Sequence, residues 1–267
     1  MKTKLFLSLI LFISLLLRIF HISSIPGSLY GDEQAFAYNA YSILITGTDE
    51  YGTKFPLEFR SFDDYKAPLP VYLLVPFIKI LGLNAFAISL PVVIFSVLTV
   101  LVFYSLLKSF FSLKISLVGA FLLAVSLWHM HLSRGYFEAT ISLIFFISGI
   151  LFFLRSGKGI KLKLISMLFF ALSAYSYFTP RILLPFFLIF LFLFNYCSYS
   201  QKKGIWKSVK VYILNLVLLI VLCSPLLYSA TFNKGLSRFN KLSGKVGSDV
   251  AQAVYLERQG TSLPKYW

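Results

Sequence analysis

Charge is what this chain has least of. Ten carboxylates stand among 267 residues, and Asp, Glu, Lys and Arg together make up 13% of it, about half the share a soluble domain carries. An ordinary water-soluble globule is thereby excluded. Cysteine occurs twice, and Cys197 and Cys223 both lie in or beside apolar runs. They supply no disulfide framework and report no redox compartment. There is no glycine-rich nucleotide loop, no Walker pattern and no Ser-His-Asp arrangement, which argues against nucleotide-driven chemistry. No internal repeat or low-complexity run is evident. His129 and His131 are two residues apart and fall on different faces of one helix, so an interfacial role is favoured over a zinc pair.

What the chain does have is hydrophobic length. Apolar residues make up 58% of it and the mean hydropathy is +0.81. Roughly 20 consecutive apolar residues span the hydrocarbon core of a bilayer, and several stretches reach that length. The expected fold is all-α, a polytopic bundle of about seven spans near 5–22, 84–107, 115–131, 137–154, 164–178, 181–197 and 211–229. The first run, behind Lys2 and Lys4, continues to Ile22 with no small-x-small site after it, so a retained span is expected rather than a cleaved leader. Segment 68–82 holds Pro68, Pro70, Pro76 and Lys79 and is short for a span. It is expected to lie on the outer surface or to enter only partway. Residues 1–229 then form the membrane core. Residues 230–267 are polar and basic, and are expected to begin a region that continues beyond this chain.

The net charge of +15 would point to nucleic acid in a soluble protein. Here the basic residues bracket apolar spans, so topology and anionic lipid account for them and no nucleic-acid partner is expected. Lys2 and Lys4, Lys108 and Lys114, Arg155 with Lys158, Lys161 and Lys163, and Lys202, Lys203, Lys207 and Lys210 fall on one side without a carboxylate among them. The acids fall on the other, in loop 23–67, at Glu138 and in the tail. By the positive-inside rule the N-terminus is cytoplasmic and the acidic loop is outside. Within that loop, DEQAFAYNAYSILITG sets Phe36, Asn39, Ala40 and Ile43 near one helical stripe. A short interfacial helix ended by Gly47 is expected.

Four groups of residues at the outer edge could carry chemistry, and each has a plainer alternative. Asp32 and Glu33 follow Gly31 just past the first span. One could remove a proton from an attacking hydroxyl, or the pair could simply favour a helix N-terminus. Lys66, in FDDYKAPLP, could hold a lipid phosphate as a point charge or snorkel at the surface. In LSRGYFEA, Arg134 could neutralise a phosphate while Glu138 completes a carboxylate pair with Asp32. Alternatively, the two could pair with each other. Arg181 opens a span after Pro180, again as a phosphate ligand or as an interfacial arginine. Arg18, near the outer end of the first span, is ambiguous in the same way.

The segments RIFHISSIPGSLYGDEQAFAYNAYSILITGTDEYGTKFP, YKAPLPVYLLVPF, LSRGYFEA and YSYFTPRILLP, in this order, resemble the membrane-embedded C-type glycosyltransferases. Within these they are most similar to the branch of dolichyl-phosphate-mannose protein mannosyltransferases and bacterial aminoarabinose lipid A transferases. The resemblance runs over about residues 15–240. It implies inverting transfer of a sugar from a polyprenyl-phosphate donor to a hydroxyl of a protein, glycolipid or polymer at the outer face of a bacterial or archaeal plasma membrane. Asp32 would be the base and Glu33 its neighbour. Lys66 would hold the carrier phosphate, and Arg134 and Glu138 match the basic and acidic positions of the second outer turn. A divalent metal is compatible with the aminoarabinose branch, but Tyr65 stands where that branch has an acid before the motif lysine, with Asp64 one residue away. Members of the family are also usually much longer, which leaves open whether this chain is active alone. A transporter or lipid flippase is the rival reading. It would place polar groups at mid-membrane and often in repeated halves, whereas here they sit at one edge.

Overall fold

The computed structural model describes residues 2–25, 27–61, 64–156, 160–199 and 205–232. Almost all of the tail expected at 230–267 lies outside these. The described chain runs α1 (Lys2–Ile19), α2 (Gly31–Thr46), β1 (Phe59–Ser61), β2 (Asp64–Lys66), α3 (Pro68–Leu81), α4 (Ala85–Leu107), α5 (Leu113–Val125), α6 (Leu127–Leu132), α7 (Glu138–Arg155), α8 (Ile160–Ser176), α9 (Phe178–Tyr199) and α10 (Ile205–Phe232). The helical expectation holds, with one small addition: β1 and β2 pair antiparallel as a hairpin, Phe59 opposite Lys66 and Ser61 opposite Asp64.

Two of the helices, α4 and α7, are long and apolar enough to cross a bilayer. Helices α3 and α5 and the stretches Phe178–Leu191 and Ile213–Ser229 are apolar but shorter, so a count of seven spans goes beyond what length alone supports. At about 1.5 Å per residue, the 14 residues of α3 reach roughly 21 Å, short of a ~30 Å hydrocarbon core. Val71, Leu74 and Ile78 on it are buried, so α3 is wedged into the bundle rather than laid on its surface.

The run expected as one span over 115–131 is broken. Ser126 takes an extended backbone (φ −60, ψ 121), and its hydroxyl accepts from His129 N to start α6. Ser is a strong N-cap residue, and here it ends one helix and begins the next.

Lipid tails are as apolar as leucine, so helices in a bilayer associate through close packing and polar contacts. Helices α7 and α8 show how. Ser142 and Ser173 each donate to the other's carbonyl, at 3.1 and 3.0 Å. Ser166 donates to Gly149 O at 2.7 Å, and Gly149 lies so close to the Phe170 ring that a Cβ there would come within 2.6 Å of it. Small residues thus let the two backbones approach. Three apolar clusters result: one under the loop (Phe36, Phe59, Leu74, Val92, Tyr136), one among α7 to α10 (Phe153, Phe170, Leu184, Leu219), and one joining α1, α4 and α5 (Ile10, Val100, Ala120).

Candidate active site

The acidic motif opens α2. Glu33 is at its third position and accepts from Tyr30 N at 2.8 Å, which satisfies an amide at the helix start. Its other carboxylate oxygen, Oε1, accepts from Tyr136 N in a short hydrogen bond. Glu33 is 1% exposed, and its bond to Tyr136 is shielded from water while that to Tyr30 is only partly so. One buried acid therefore fastens the first loop to the turn between α6 and α7. Gly135 is required there: a Cβ would stand 2.9 Å from Glu33 Oε1 and 2.8 Å from the Phe137 ring. Tyr136 completes the junction by donating its hydroxyl to Pro70 O at 2.6 Å. Burial raises the pKa of this phenol.

Asp32 faces the other way. Its carboxylate is 55% exposed and lies 3.0 Å from Lys66 Nζ, whose side chain is only 4% exposed. The hairpin explains this. Phe59 and Lys66 are cross-strand partners and share the face turned to the core. The lysine stem is therefore buried beside Phe59, and its ammonium emerges at Asp32. Pairing with a strand places Lys66 more firmly than the surface-snorkelling alternative would.

Arg134 turns to the main chain rather than to Glu138. It donates to Leu17 O at 3.3 Å, Phe20 O at 2.6 Å and Ile25 O at 3.3 Å. These carbonyls lie at and just past the end of α1, where helix carbonyls lack partners of their own. Beside it, a cavity of about 190 Å³ is lined by Arg134, Glu33, Ser23 and Ser28. Glu138 opens α7 and is 7% exposed. Its charge acts on the Tyr136 phenol two residues away, adding to the upward push of burial. Hence Glu33, rather than Asp32, bonds directly to the turn that carries Arg134 and Glu138.

Arg181 is held elsewhere on the loop. Its Nη1 lies 3.4 Å from Glu58 Oε1, and its Nε donates to Ala174 O at 3.0 Å. Burial pushes the Glu58 carboxyl above its ordinary value, while the charge of Arg181 and a bond from Ser229 pull it back. Glu58 precedes Phe59, the partner of Lys66, so one end of the hairpin carries both ion pairs. Arg181 also heads an apolar cavity of about 610 Å³ between α9 and α10, lined by Leu184, Leu188, Leu219 and Leu226 among others.

Sequence reasoning missed Glu58. It is an isolated loop acid, and nothing local marks a partner 123 positions away. The ambiguous Arg18 is resolved. It is fully buried, bonded to Ser14 Oγ at 2.8 Å and Ala124 O at 2.9 Å, and it donates to His129 Nδ1 at 2.7 Å. Guanidinium only donates, so this imidazole is neutral with its proton on Nε2. Among the described residues no three His, Cys, Asp or Glu gather to hold a metal ion.

The helical bundle thus carries an acid–lysine pair, one fully buried arginine (Arg18) and two partly exposed ones (Arg134, Arg181). A family model for dolichyl-phosphate-mannose-protein mannosyltransferases matches residues 65–228, and the chain belongs to that family. It is also similar to a solved structure, the archaeal oligosaccharyltransferase AglB from Archaeoglobus fulgidus in complex with an inhibitory peptide and a dolichol-phosphate. The TM-score is 0.64 at 15% identity, over 84% of this chain and 29% of that one. The likeness is one of fold, and this chain spans less than a third of that protein. No curated protein matches it.

Proposed function

We propose that the chain carries the catalytic end of a membrane glycosyltransferase that moves a sugar, with inversion, from a polyprenyl-phosphate carrier to an acceptor hydroxyl at the outer membrane face. The Asp32–Lys66 pair carries this reading: an exposed carboxylate 3.0 Å from a buried, fixed ammonium. The two groups match the two needs of the reaction, a base for the incoming hydroxyl and positive charge for the departing phosphate. The acceptor oxygen attacks the anomeric carbon as its proton passes to Asp32. The bond from that carbon to the phosphate oxygen breaks on the opposite side, and the phosphate leaves with the electron pair. A single displacement of this kind inverts the anomeric centre.

Lys66 meets the phosphate, with Arg134 and Arg181 adding positive charge along the same end of the bundle. Glu33 and Glu138 hold the acidic junction that sets Asp32 against the second turn. The apolar cavity headed by Arg181 suits the carrier's prenyl chain. Residues 1–229 form the core of this site, seven spans carry it, and the N-terminus is cytoplasmic. The acceptor is a hydroxyl of a protein, glycolipid or polymer.

The test is an assay of the full-length enzyme in liposomes with a panel of polyprenyl-phosphate sugars, following released lipid phosphate by mass spectrometry. Asp32→Asn keeps the size of the side chain and removes its negative charge. It is expected to lower turnover by about 100-fold or more with donor affinity little changed, as for loss of a general base. Near-normal turnover in Asp32→Asn removes it from that role.

A further inference from the structure

A further cavity opens beside the acidic motif. It measures about 440 Å³ and is bounded by Gly31, Gln34 and Tyr38 of α2, by Glu50 and Tyr51 of the following turn, and by Arg60 of β1. That volume is within the range of small-ligand sites. We infer that this cavity is the acceptor subsite and that the acceptor it takes is a saccharide, an inference that rests on the transferase reading of Asp32.

Position is the first ground. Gly31 directly precedes Asp32. Arg60 sits on the strand paired with that of Lys66, its cross-strand partner being Tyr65. Gly31 lines the cavity, so a hydroxyl held at that end meets the residue next in the chain to the proposed base. In the transfer step the sugar O–H loses its proton to Asp32, its oxygen bonds to the anomeric carbon, and the carrier phosphate departs with the electron pair.

The lining is the second ground. Tyr38 and Tyr51 are each 56% exposed, and the Arg60 guanidinium lies 5.3 Å from the centre of the Tyr51 ring, which fixes the orientation of that ring. Flat aromatic faces receive the C–H face of a pyranose. Planar amide, guanidinium and carboxylate groups bond its hydroxyls as paired donors and acceptors. Among the described residues that line it, the cavity has no Leu, Ile, Val, Met or Phe, and its apolar surface comes chiefly from tyrosine rings. The cavity between α9 and α10 is the contrast, being leucine-lined throughout much of its length. The edge of β1 is three residues long, too short to bind an extended peptide by strand addition.

Preorganisation is the third. Asn39, 2% exposed, donates to Glu50 Oε1 at 3.0 Å and accepts from Glu50 N at 3.2 Å. Asp49 Oδ1 accepts from Tyr51 N at 3.0 Å and Thr53 N at 2.7 Å, and Gly52 supplies the positive φ (82°) that closes the turn. The ring and the carboxylate are therefore in place before any ligand arrives.

The test uses the full-length enzyme with its lipid-phosphate donor. The acceptor probes are methyl glycosides and disaccharides of mannose, glucose and galactose, against a serine- and threonine-bearing peptide. Saccharides are expected to be glycosylated. Tyr51→Ala is expected to raise their KM about tenfold, the order of one lost aromatic face, with a smaller effect on kcat. Tyr51→Trp, which keeps a ring, is expected to restore the KM. A saccharide KM indifferent to Tyr51→Ala overturns the inference, as does transfer to the peptide alone. Saturation-transfer NMR on the wild-type enzyme and Tyr51→Ala separates the two readings. Tyr51-dependent saccharide binding without release of lipid phosphate from any donor upholds the saccharide site and removes the transferase reading. Lipid-phosphate release without saccharide binding does the reverse.

Discussion

Glu33 and Asp32 are neighbours in sequence, yet the structure gives them different work, and Glu33→Gln separates them. The substitution preserves shape. It leaves one oxygen to accept and turns an amide donor toward an N–H that had been donating. The Tyr136 amide is the one that suffers, since Tyr136 is 1% exposed and water cannot replace the lost acceptor. Tyr30 is 52% exposed and its amide is the more easily rehydrated. A hydrogen bond to a charged group is worth about 1.5–3 kcal/mol, so the loss is on that order. For a protein near this size each kcal/mol moves the melting temperature by about 2–4 °C, giving a fall of roughly 3–12 °C. The assay is heat denaturation of purified protein followed by the monodisperse fraction on size exclusion, beside donor turnover. In Glu33→Gln stability and turnover should fall together, because the turn carrying Arg134 and Glu138 is released. Asp32→Asn should lose turnover with a smaller fall in melting temperature, about 2–4 °C for the roughly 1 kcal/mol of a half-exposed ion pair, because the buried Lys66 ammonium loses its charged partner. A Glu33→Gln enzyme that melts with the parent but does not turn over would refute this division.

Two further outcomes test the frame around the site. With Cys197 and Cys223 replaced, a cysteine at Lys54 should react with an impermeant thiol reagent applied from outside, and one at Lys108, at the far end of α4, should be protected until the membrane is opened. Equal reactivity would remove the crossing of α4 or the orientation of the bundle. The Glu58 carboxyl is pushed up by burial, so the folded protein holds its proton to higher pH than the unfolded chain does. Between the ordinary carboxylate value and that raised value stability should fall as pH rises, and then level off. Glu58→Gln should flatten this part of the stability–pH profile, and an unchanged slope between the two proteins would show that Glu58 does not titrate in that window.

Local signals made part of this legible. The stripe of Phe36, Asn39, Ala40 and Ile43 and the stop at Gly47 describe α2 well: the first three are buried and Gly47 has a φ of 74°. A glycine in the left-handed region is the usual helix terminator. The acid pair of α2 reads either as a helix start or as chemistry, and the structure sets Glu33 in the helix-start junction and Asp32 beside Lys66. The split at Ser126 left a trace, a capping residue inside an apolar run, but apolar length outweighed it. The hairpin left a fainter one: Phe59, Arg60 and Ser61 alternate buried, exposed and buried, and a period of two over three residues is too short to separate from coil. From its sequence Arg134 reads as a phosphate ligand or as a partner of Glu138; its bonds to main-chain carbonyls more than 100 positions away leave no mark in composition or spacing. Arg181 with Glu58 and Arg18 with His129 fail to show for the same reason. The cations could be located at the membrane edge from the sequence, but their partners are set by which helix ends meet.

The choice of lysine at position 66 is the sharpest point on which the proposed mechanism can be pressed. In that mechanism Lys66 serves two anions, Asp32 throughout and the carrier phosphate when it arrives. An ammonium has three donors on a compact head, so it can keep one bond to Asp32 and offer others to a phosphate, leaving the second oxygen of Asp32 to take a proton. An arginine has the same charge but a planar fork that matches a carboxylate in paired bonds. In Lys66→Arg the guanidinium would occupy both oxygens of Asp32 and leave the base without a free one. Lys66→Ala should weaken donor binding and turnover together, since the charge meets the phosphate in ground and transition states alike. Lys66→Arg should instead hold the donor and lose turnover, by about tenfold or more, in a protein that melts near the parent. Donor affinity by titration and turnover by lipid-phosphate release read the two effects separately. Full turnover in Lys66→Arg would mean that charge alone suffices at this position, and the shared-ammonium mechanism would have to be given up.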